Sequence, residues 1–492
     1  MRYLLLTGVT GLLGRYLLKD LLLAGVKVAV LARPTRKAKA RLRVEEGMCY
    51  WEQQLGRELP RPVVLEGDIC EPDLGLDPRS MRWVAEHCDT MLHNAASLSF
   101  ISTGPTSEPW RSNLEGTKNV LDLCRNAGIR RFHHVSTAYT CGLRTGKILE
   151  TELDVGQEFS NDYERSKVQA EKLVRSADFL DSLTVHRPAI IIGDSKSGYT
   201  STYHGFYAPL QVVQTMVQRS EPNATGHVSA SSRFPLSGAE TKNLIPVDWV
   251  SAVMSHIITH PEHHGKTYNL TPRQPVNVRL MADVLEETAR FYAVSLEGSD
   301  HTFENPTEDE KLFNTMIAVY HSYWRDDPVF DTTNTRQAAP HLPCPHVDRT
   351  MLRMLADFAV QANFDGPKAR PAPPEFDAHQ ILDPLVEAVD QLPRTPDATP
   401  RLGLQVTGHG GGQWHLLMQD GQVVAADLGL DAQCTATFHL DVTTFASLSR
   451  GELTAAEAVD SGRLEVTGNG LPHDSLLNIL DEVAKDPTMQ PQ

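Results

Sequence analysis

Over the first three hundred residues, short strand-type segments alternate with amphipathic stretches. Val26–Leu31, Thr90–Leu92, Phe132–Val135 and Val185–Ile192 read as strands that carry a few polar residues, whereas Tyr3–Leu6 and Val63–Leu65 are unbroken apolar runs without the polar alternation of a half-exposed strand. Such runs predict strands buried on both faces, as in a parallel sheet. Tyr16–Leu23, and the stretch from Tyr163 to about Val174, carry helical spacing instead. Strand–helix alternation predicts an α/β fold with a doubly wound parallel sheet. Between Arg273 and Asp365 the pattern turns helical, with Phe313, Met316, Ile317, Tyr320 and Tyr323 recurring on one face. Packing onto the core is the ordinary reason for such a stripe, and the wall of a lipid channel or a membrane-touching lid is the functional one. The Pro-rich Gly366–Pro374 ends the helical pattern and reads as a semi-rigid linker. After it come a helix from about His379 to Leu392 and short strands at Gly403–Val406, Gln413–Met418, Gln422–Leu428 and Thr435–Leu440. Two short helices (Val442–Leu448 and Ala455–Ser461), a strand (Arg463–Thr467) and a helix from about Leu476 complete the pattern. The expected divisions are 1–290, a helical extension 291–365, the linker 366–379 and a small α/β unit 380–492.

Composition refines this picture. A chain of 492 residues is expected to form two to four domains. With 41% hydrophobic and 22% charged residues it is neither fibrous nor mainly disordered. A net charge of −16 argues against nucleic-acid binding through a diffuse basic surface. The acid is concentrated: residues 380–492 hold 16 Asp/Glu against 5 Lys/Arg. Seven scattered cysteines without a CxxC spacing fit reduced thiols. The apolar start is too short and glycine-rich for a signal peptide, and no apolar run is long enough to span a bilayer. The expectation is a cytoplasmic protein.

The first strand runs into TGVTGLLG, with glycines at 8, 11 and 14, and then a helix. Strand, glycine turn and helix form the setting of a dinucleotide fingerprint. Gly8 allows the turn, Gly11 lets backbone N–H groups approach a pyrophosphate, and Gly14 lets helix and strand close up. The candidate cradle is Thr7, Gly8, Thr10, Gly11, Leu12, Leu13 and Gly14. After the second strand stands Arg33, where an NAD enzyme would usually carry an acidic residue for the ribose 2′-hydroxyl; arginine suits the 2′-phosphate of NADP. Arg36 is a second candidate, whereas Lys39 onward reads as a solvated basic helix. Asp68 and Ile69, and Asn94, Ala95 and Ala96, follow strands where the adenine and the nicotinamide ribose would lie.

Tyr163 and Lys167, four apart, share one helical face. A phenol with a pKa near 10 is a poor acid–base at neutral pH, and a neighbouring ammonium would lower it. A Ser or Thr hydroxyl opposite would complete a cradle for a carbonyl oxygen gaining charge. Glycine turn, Asn94-Ala95-Ala96, the strand ending in Ser136-Thr137 and then Tyr163-xxx-Lys167 come in an order that resembles the extended short-chain dehydrogenase/reductases, over about residues 1–290. That resemblance implies Thr137 (or Ser136) as the hydroxyl, Tyr163 as proton donor, Lys167 on the nicotinamide ribose, Asn113 beside the site and Pro188 at the cofactor edge. The segments HVSTAY, RPAIIIGDSKSG, KNLIPVDWV and FDTTNTRQAAPHLP resemble fatty acyl reductases and thioester reductases. GQWHLLMQDGQV and DVTTFASLSRGELTAAEAVDSGRLEVTGN resemble the sterol carrier protein, type two, domain, which implies an apolar cavity for acyl chains or sterols.

Together these imply an NADPH-dependent reductase of long-chain acyl thioesters, delivered on CoA or on an acyl carrier protein, giving aldehyde or alcohol. The tethered lipid-binding domain would raise the local concentration of apolar substrate. Its shortage of lysines weakens docking to anionic membranes but leaves peripheral contact open. A dehydrogenase of hydroxysteroids or polycyclic lipids is the alternative, and a lipid-transfer protein with a nucleotide-sensing domain the third reading. His133-His134, His263-His264 and His341–His346 show no recognised zinc spacing, so no metal is expected and these histidines read as solvated or capping. Cys141 reads as a buried apolar residue.

Overall fold

The computed structural model describes residues 2–219, 228–234, 237–296, 305, 307, 310–311, 315, 323, 325–365, 371–389, 400–468 and 472–485. All five residues of β1 (Tyr3–Thr7) are buried. Leu4 and Leu6 face one core layer, Tyr3 and Leu5 the other, the two-sided burial that its unbroken apolar run requires. The chain continues through α1 (Leu12–Leu23), β2 (Val28–Ala32), α2 (Ala40–Leu55), β3 (Val63–Glu66), α3 (Pro78–His87), β4 (Cys88–His93), α4 (Gly116–Ala127), β5 (Arg131–Val135), α5 (Asp162–Arg175), β6 (Ser182–Pro188), α6 (Tyr207–Arg219), α7 (Val247–Thr259) and β7 (Thr267–Leu270). The strands form one parallel sheet in the order β7-β6-β5-β4-β1-β2-β3. From β1 the chain builds outward to β3, then returns to the far side of β1 as β4. That reversal opens the crevice above the carboxyl ends of β1 and β4 where doubly wound sheets bind ligands.

The middle of the chain is not purely helical. After α8 (Val278–Ala289), Phe291–Leu296 is extended and pairs in parallel with Val228–Phe234. Phe291, Tyr292 and Val294 are β-formers, and Arg290 in a left-handed conformation (φ 53°) ends the helix before them. Phe313, Met316, Ile317 and Tyr320 of the expected stripe lie outside the described residues. α9 (Arg349–Gln361) follows, packed on α8.

The C-terminal unit has α10 (His379–Ala388), then β8 (Arg401–Thr407), β9 (Gly412–Gln419), β10 (Gln422–Leu428), β11 (Ala436–Asp441), α11 (Val442–Ser449), α12 (Ala455–Asp460), β12 (Leu464–Gly468) and α13 (His473–Ala484). Its strand order is β10-β9-β8-β11-β12, antiparallel except for β8 with β11. Trp414, Leu416 and Met418 alternate into the unit's own core. The intervening Gln413 and His415 are buried too, because the first unit covers them. The Tyr3 hydroxyl donates to Gln413 Oε1 (2.8 Å) and accepts from Leu430 N (2.6 Å), and Trp83 Nε1 donates to the Leu428 carbonyl (2.7 Å). Lys27 reaches the Leu430 carbonyl (2.9 Å), Thr407 donates to Glu58 (2.8 Å), and Arg41 pairs with Asp377 along α2. Tyr3, Lys27 and His87 mark the amino ends of β1, β2 and β4. The C-terminal unit is thus docked mainly at the edge opposite the glycine turn, with the ~16 Å length of a five-residue strand between them. Fixed polar contacts, rather than a loose tether, hold it there. Among the described residues no helix is long and apolar enough to cross a membrane.

Candidate functional site

The glycine turn shows why its residues are small. Gly8 adopts φ 73°, and a Cβ there would lie 2.7 Å from Ala95 N; a Cβ on Gly14 would lie 2.1 Å from the Gly8 carbonyl. The turn therefore lies flat against the β4 loop while α1 closes onto it. Thr7 sits below: its Oγ1 accepts from Asn94 N (3.2 Å) and Ala95 N (3.1 Å) and contacts His93 Nδ1 (2.9 Å). α1 begins at Leu12 with no side-chain cap, leaving its first N–H groups at the crevice.

One cavity of about 700 Å³ runs from this turn across the carboxyl ends of the strands. Gly8, Thr10, Gly11, Leu12, Leu13, Gly14 and Arg33 line it. So do Asp68, Ile69, Asn94, Ala95, Ala96, Ser136, Thr137, Tyr163, Lys167 and Pro188. Three expected site residues are not in its wall. Thr7 supports the wall from beneath. Arg36 is exposed within the Thr35–Ala38 bridge. Asn113 is 1% exposed; its Nδ2 donates to Ser166 Oγ (2.9 Å) and the Ser97 carbonyl (3.1 Å), and its Oδ1 accepts from Ser97 N (2.8 Å). It ties the β4 loop to α5, a positioning role.

The reactive-type side chains meet at the middle of the cavity. Thr137 faces Tyr163, whereas the Ser136 hydroxyl turns away to donate to Glu171 Oε2 (2.7 Å). Burial pushes the Tyr163 phenol up to about 12, with Thr137 drawing it back in part. Lys167 is buried and donates to the Val135 carbonyl (2.7 Å), and it is burial rather than a neighbouring ammonium that sets the direction of the phenol's shift. Burial pulls Lys167 down to about 8, and Glu171 opposes this. Burial also pushes Glu171 up, but Arg187 (2.6 and 3.0 Å), Arg175 (2.7 Å) and Ser136 more than offset it and hold the carboxyl below its usual range. The Phe100 ring covers Tyr163 at 5.9 Å.

Three further wall residues escape the sequence reading. Arg43, on α2, donates to Thr10 Oγ1 (3.1 Å) and to the Arg33 carbonyl; burial, then Arg33, lowers its pKa. Its signal lay in helical phase: Arg43 flanks the buried Ala40, Val44 and Met48 stripe, so it cannot be a freely solvated residue. Tyr139 and Lys242 are brought together by Asp327, which accepts from the Tyr139 hydroxyl (2.6 Å) and pairs with Lys242 Nζ (3.1 Å). No spacing in the chain announces that contact. The histidine reading also changes. His133 and His134 on β5 are fully buried, not solvated, and burial above all lowers both pKa values far below the ordinary range. Cys141 is buried, outside the cavity wall, with its thiol pushed up to about 12 by burial.

Residues 6–254 match the model of the NAD-binding family described as male sterility protein. The chain belongs to that family. Residues 393–471 match the SCP-2 sterol transfer family. The chain is 26% identical over 377 residues to the aldehyde reductase lnaA of Aspergillus flavus, covering 69% of this chain and 34% of that protein. It is 28% identical over 370 residues to a linear gramicidin synthase of Brevibacillus parabrevis, covering 72% of this chain and 7% of that one. The chain thus spans about a third or less of the length of these curated relatives. A solved terminal R domain from the myxalamid PKS-NRPS biosynthetic pathway superposes with a TM-score of 0.59 at 25% identity, over 75% of this chain and 93% of that one. The reductase domain of a nonribosomal peptide synthetase from Mycobacterium tuberculosis has the same fold (TM-score 0.53, 21% identity, 74% and 92% coverage). Family, fold and site make the chain an oxidoreductase that uses a nicotinamide cofactor. The glycine cradle and the open amino end of α1 fit that cofactor.

Proposed function

We propose that the chain is an NADPH-dependent reductase of long-chain acyl thioesters, presented on CoA or a carrier protein. One observation carries the reading: Thr137, Tyr163 and Lys167 share a single cavity with the glycine turn at one end and apolar walls at the other, among them Leu98, Phe206, Val213, Met281 and Leu285. Relatives named as an aldehyde reductase and as reductase domains of peptide synthetases support a thioester substrate. A nicotinamide cofactor bound along the glycine turn supplies the hydride. Thr137 and Tyr163 hold the thioester oxygen as it gains charge, and Tyr163 Oη gives it a proton. Burial holds the phenol protonated at neutral pH, the form that donates in the reductive direction. Collapse of the hemithioacetal releases thiol and aldehyde. The match to a sterol transfer family favours a second reading, a dehydrogenase of hydroxysteroids or related polycyclic lipids. A panel of acyl-CoA chains and hydroxysteroids, followed by nicotinamide absorbance, separates the two: turnover confined to hydroxysteroids rejects the thioester reading.

The choice of NADPH rests on Arg33 and Arg43 at the adenosine end of the cavity. Arg43→Ala should raise the NADPH KM about 10-fold or more, the worth of a charged hydrogen bond, while leaving the NADH KM unchanged. Equal effects on both cofactors would show that Arg43 does not read the 2′-phosphate. On this reading Lys167 holds the nicotinamide ribose, which gives a pH signature. Its folded pKa is depressed, so the ammonium is lost as pH rises through about 8. Cofactor affinity should therefore be full below that pH and weaken above it, and Lys167→Met should abolish the break in a fluorescence titration.

A further inference from the structure

Where the C-terminal unit meets the sheet, three ligand-type side chains distant in sequence converge. His87 closes α3, His415 lies in the middle of β9 and Asp431 follows β10. One ligand atom from each lies within 4.8 Å of the other two, and His87 Nε2 is 4.0 Å from Asp431 Oδ2. The group is shielded from solvent: His415 is 3% exposed, and the side chains of His87 and Asp431 are 10% and 11% exposed. His415 occupies an outward position of β9, between Trp414 and Leu416 of the core, where a strand on the unit's surface would carry a solvated residue.

Each imidazole is fixed through its inner nitrogen. His87 Nδ1 bonds the Trp83 carbonyl (3.0 Å), and His415 Nδ1 bonds the Gly429 carbonyl (3.1 Å). A carbonyl only accepts, so Nδ1 donates in both rings and Nε2 is the nitrogen left facing the group. Metal-binding histidines are held the same way, an outer carbonyl fixing tautomer and ring orientation. Asp431 is oriented as well: Gln433 N donates to Oδ1 (2.8 Å), and Arg401 pairs with the carboxylate. Asp427, the cross-strand neighbour of His415, adds a second negative charge beside the group, itself paired with Arg79 (3.1 Å).

We infer that His87, His415 and Asp431 form a divalent transition-metal site of the zinc class that fastens the lipid-transfer-type unit to the reductase unit. Two imidazoles and one carboxylate, completed by solvent, are a ligand set zinc accepts in tetrahedral geometry. One ligand comes from the reductase side and two from the C-terminal side, so the ion crosslinks the units. The site stands at the sheet edge opposite the glycine turn, so its role is structural.

The test uses the full chain, stripped with a chelator, dialysed and titrated with zinc chloride alone by calorimetry. The site predicts one saturable equivalent and a rise in melting temperature on zinc addition. His87→Gln and Asp431→Asn should each weaken that equivalent at least about 100-fold and abolish the rise, since removing a ligand costs more than disturbing an outer partner. Two variants at different places in the seam are used so that misfolding of one does not remove the test, and the metal-free melting curve of each shows whether it folds. Cobalt substitution should give a visible absorption band in the parent chain that the variants lack. Absence of a saturable equivalent, or one retained at parental affinity in both folded variants, would overturn the assignment.

Discussion

Tyr163→Phe is expected to reduce kcat for acyl-thioester reduction by about 10²–10⁴-fold, the usual worth of a positioned general acid. The substitution removes one oxygen from a cavity wall and nothing else. Phe100 still covers the ring, and Thr137 still faces the carbonyl, so substrate can still enter and gain charge. What is lost is the proton held against that charge, in a group whose raised pKa keeps it protonated. Cofactor binding, which draws on the glycine turn, the arginines and Lys167, should change little. Stopped-flow turnover together with equilibrium cofactor titration checks both halves. Near-parental turnover would remove Tyr163 from the chemistry, and lost cofactor affinity would assign it a binding role instead.

Glu171→Gln should be the most damaging substitution for stability, costing about 3–5 kcal/mol, because it leaves buried Arg187 with an uncompensated charge. Arg187 and Glu171 are 1% and 0% exposed at their side chains, so water cannot substitute for the lost partner. Arg175, partly exposed, can turn to solvent and adds less. Glu171→Leu combined with Arg187→Leu should recover much of the loss, since removing both charges also removes the cost of burying them. The pair has a pH signature. Its carboxyl is held below the usual range, so its stabilising effect is complete at neutral pH and is lost as pH falls through the folded-state pKa. Melting temperatures of parent, single and double variants between neutral and acid pH test this; a single variant as stable as the parent would remove the ion pair from the account.

What could be read in the sequence follows from range. Tyr3–Thr7, the glycine turn and the Tyr163–Lys167 spacing are local patterns set by one strand or one helix, and they are legible without neighbours. The strand–helix order predicts the doubly wound sheet, and the sheet places the glycine turn over the β1/β4 crevice. Contacts between distant segments are not legible. Asp327 joins Tyr139 to Lys242, and Tyr3 joins Gln413 to Leu430, through pairs separated by 85 to 427 residues. The same limit explains the lysine: spacing puts Lys167 on the tyrosine's face, but the Val135 carbonyl, a tertiary neighbour, accepts a hydrogen bond from its ammonium. Among the basic residues after Arg33, only helical phase beside Ala40, Val44 and Met48 distinguishes Arg43. His133 and His134 looked solvated because polarity alone does not show that β5 lies in mid-sheet.

The central claim is tested most directly by following free thiol and nicotinamide together when the chain is given NADPH and a long-chain acyl-CoA. The thioester reading predicts thiol release with NADPH oxidised at one equivalent per thiol if aldehyde accumulates, or two if alcohol forms, and no thiol release from Tyr163→Phe. NADPH oxidation without thiol release, or no reaction with any acyl thioester while a hydroxysteroid is turned over, would contradict it.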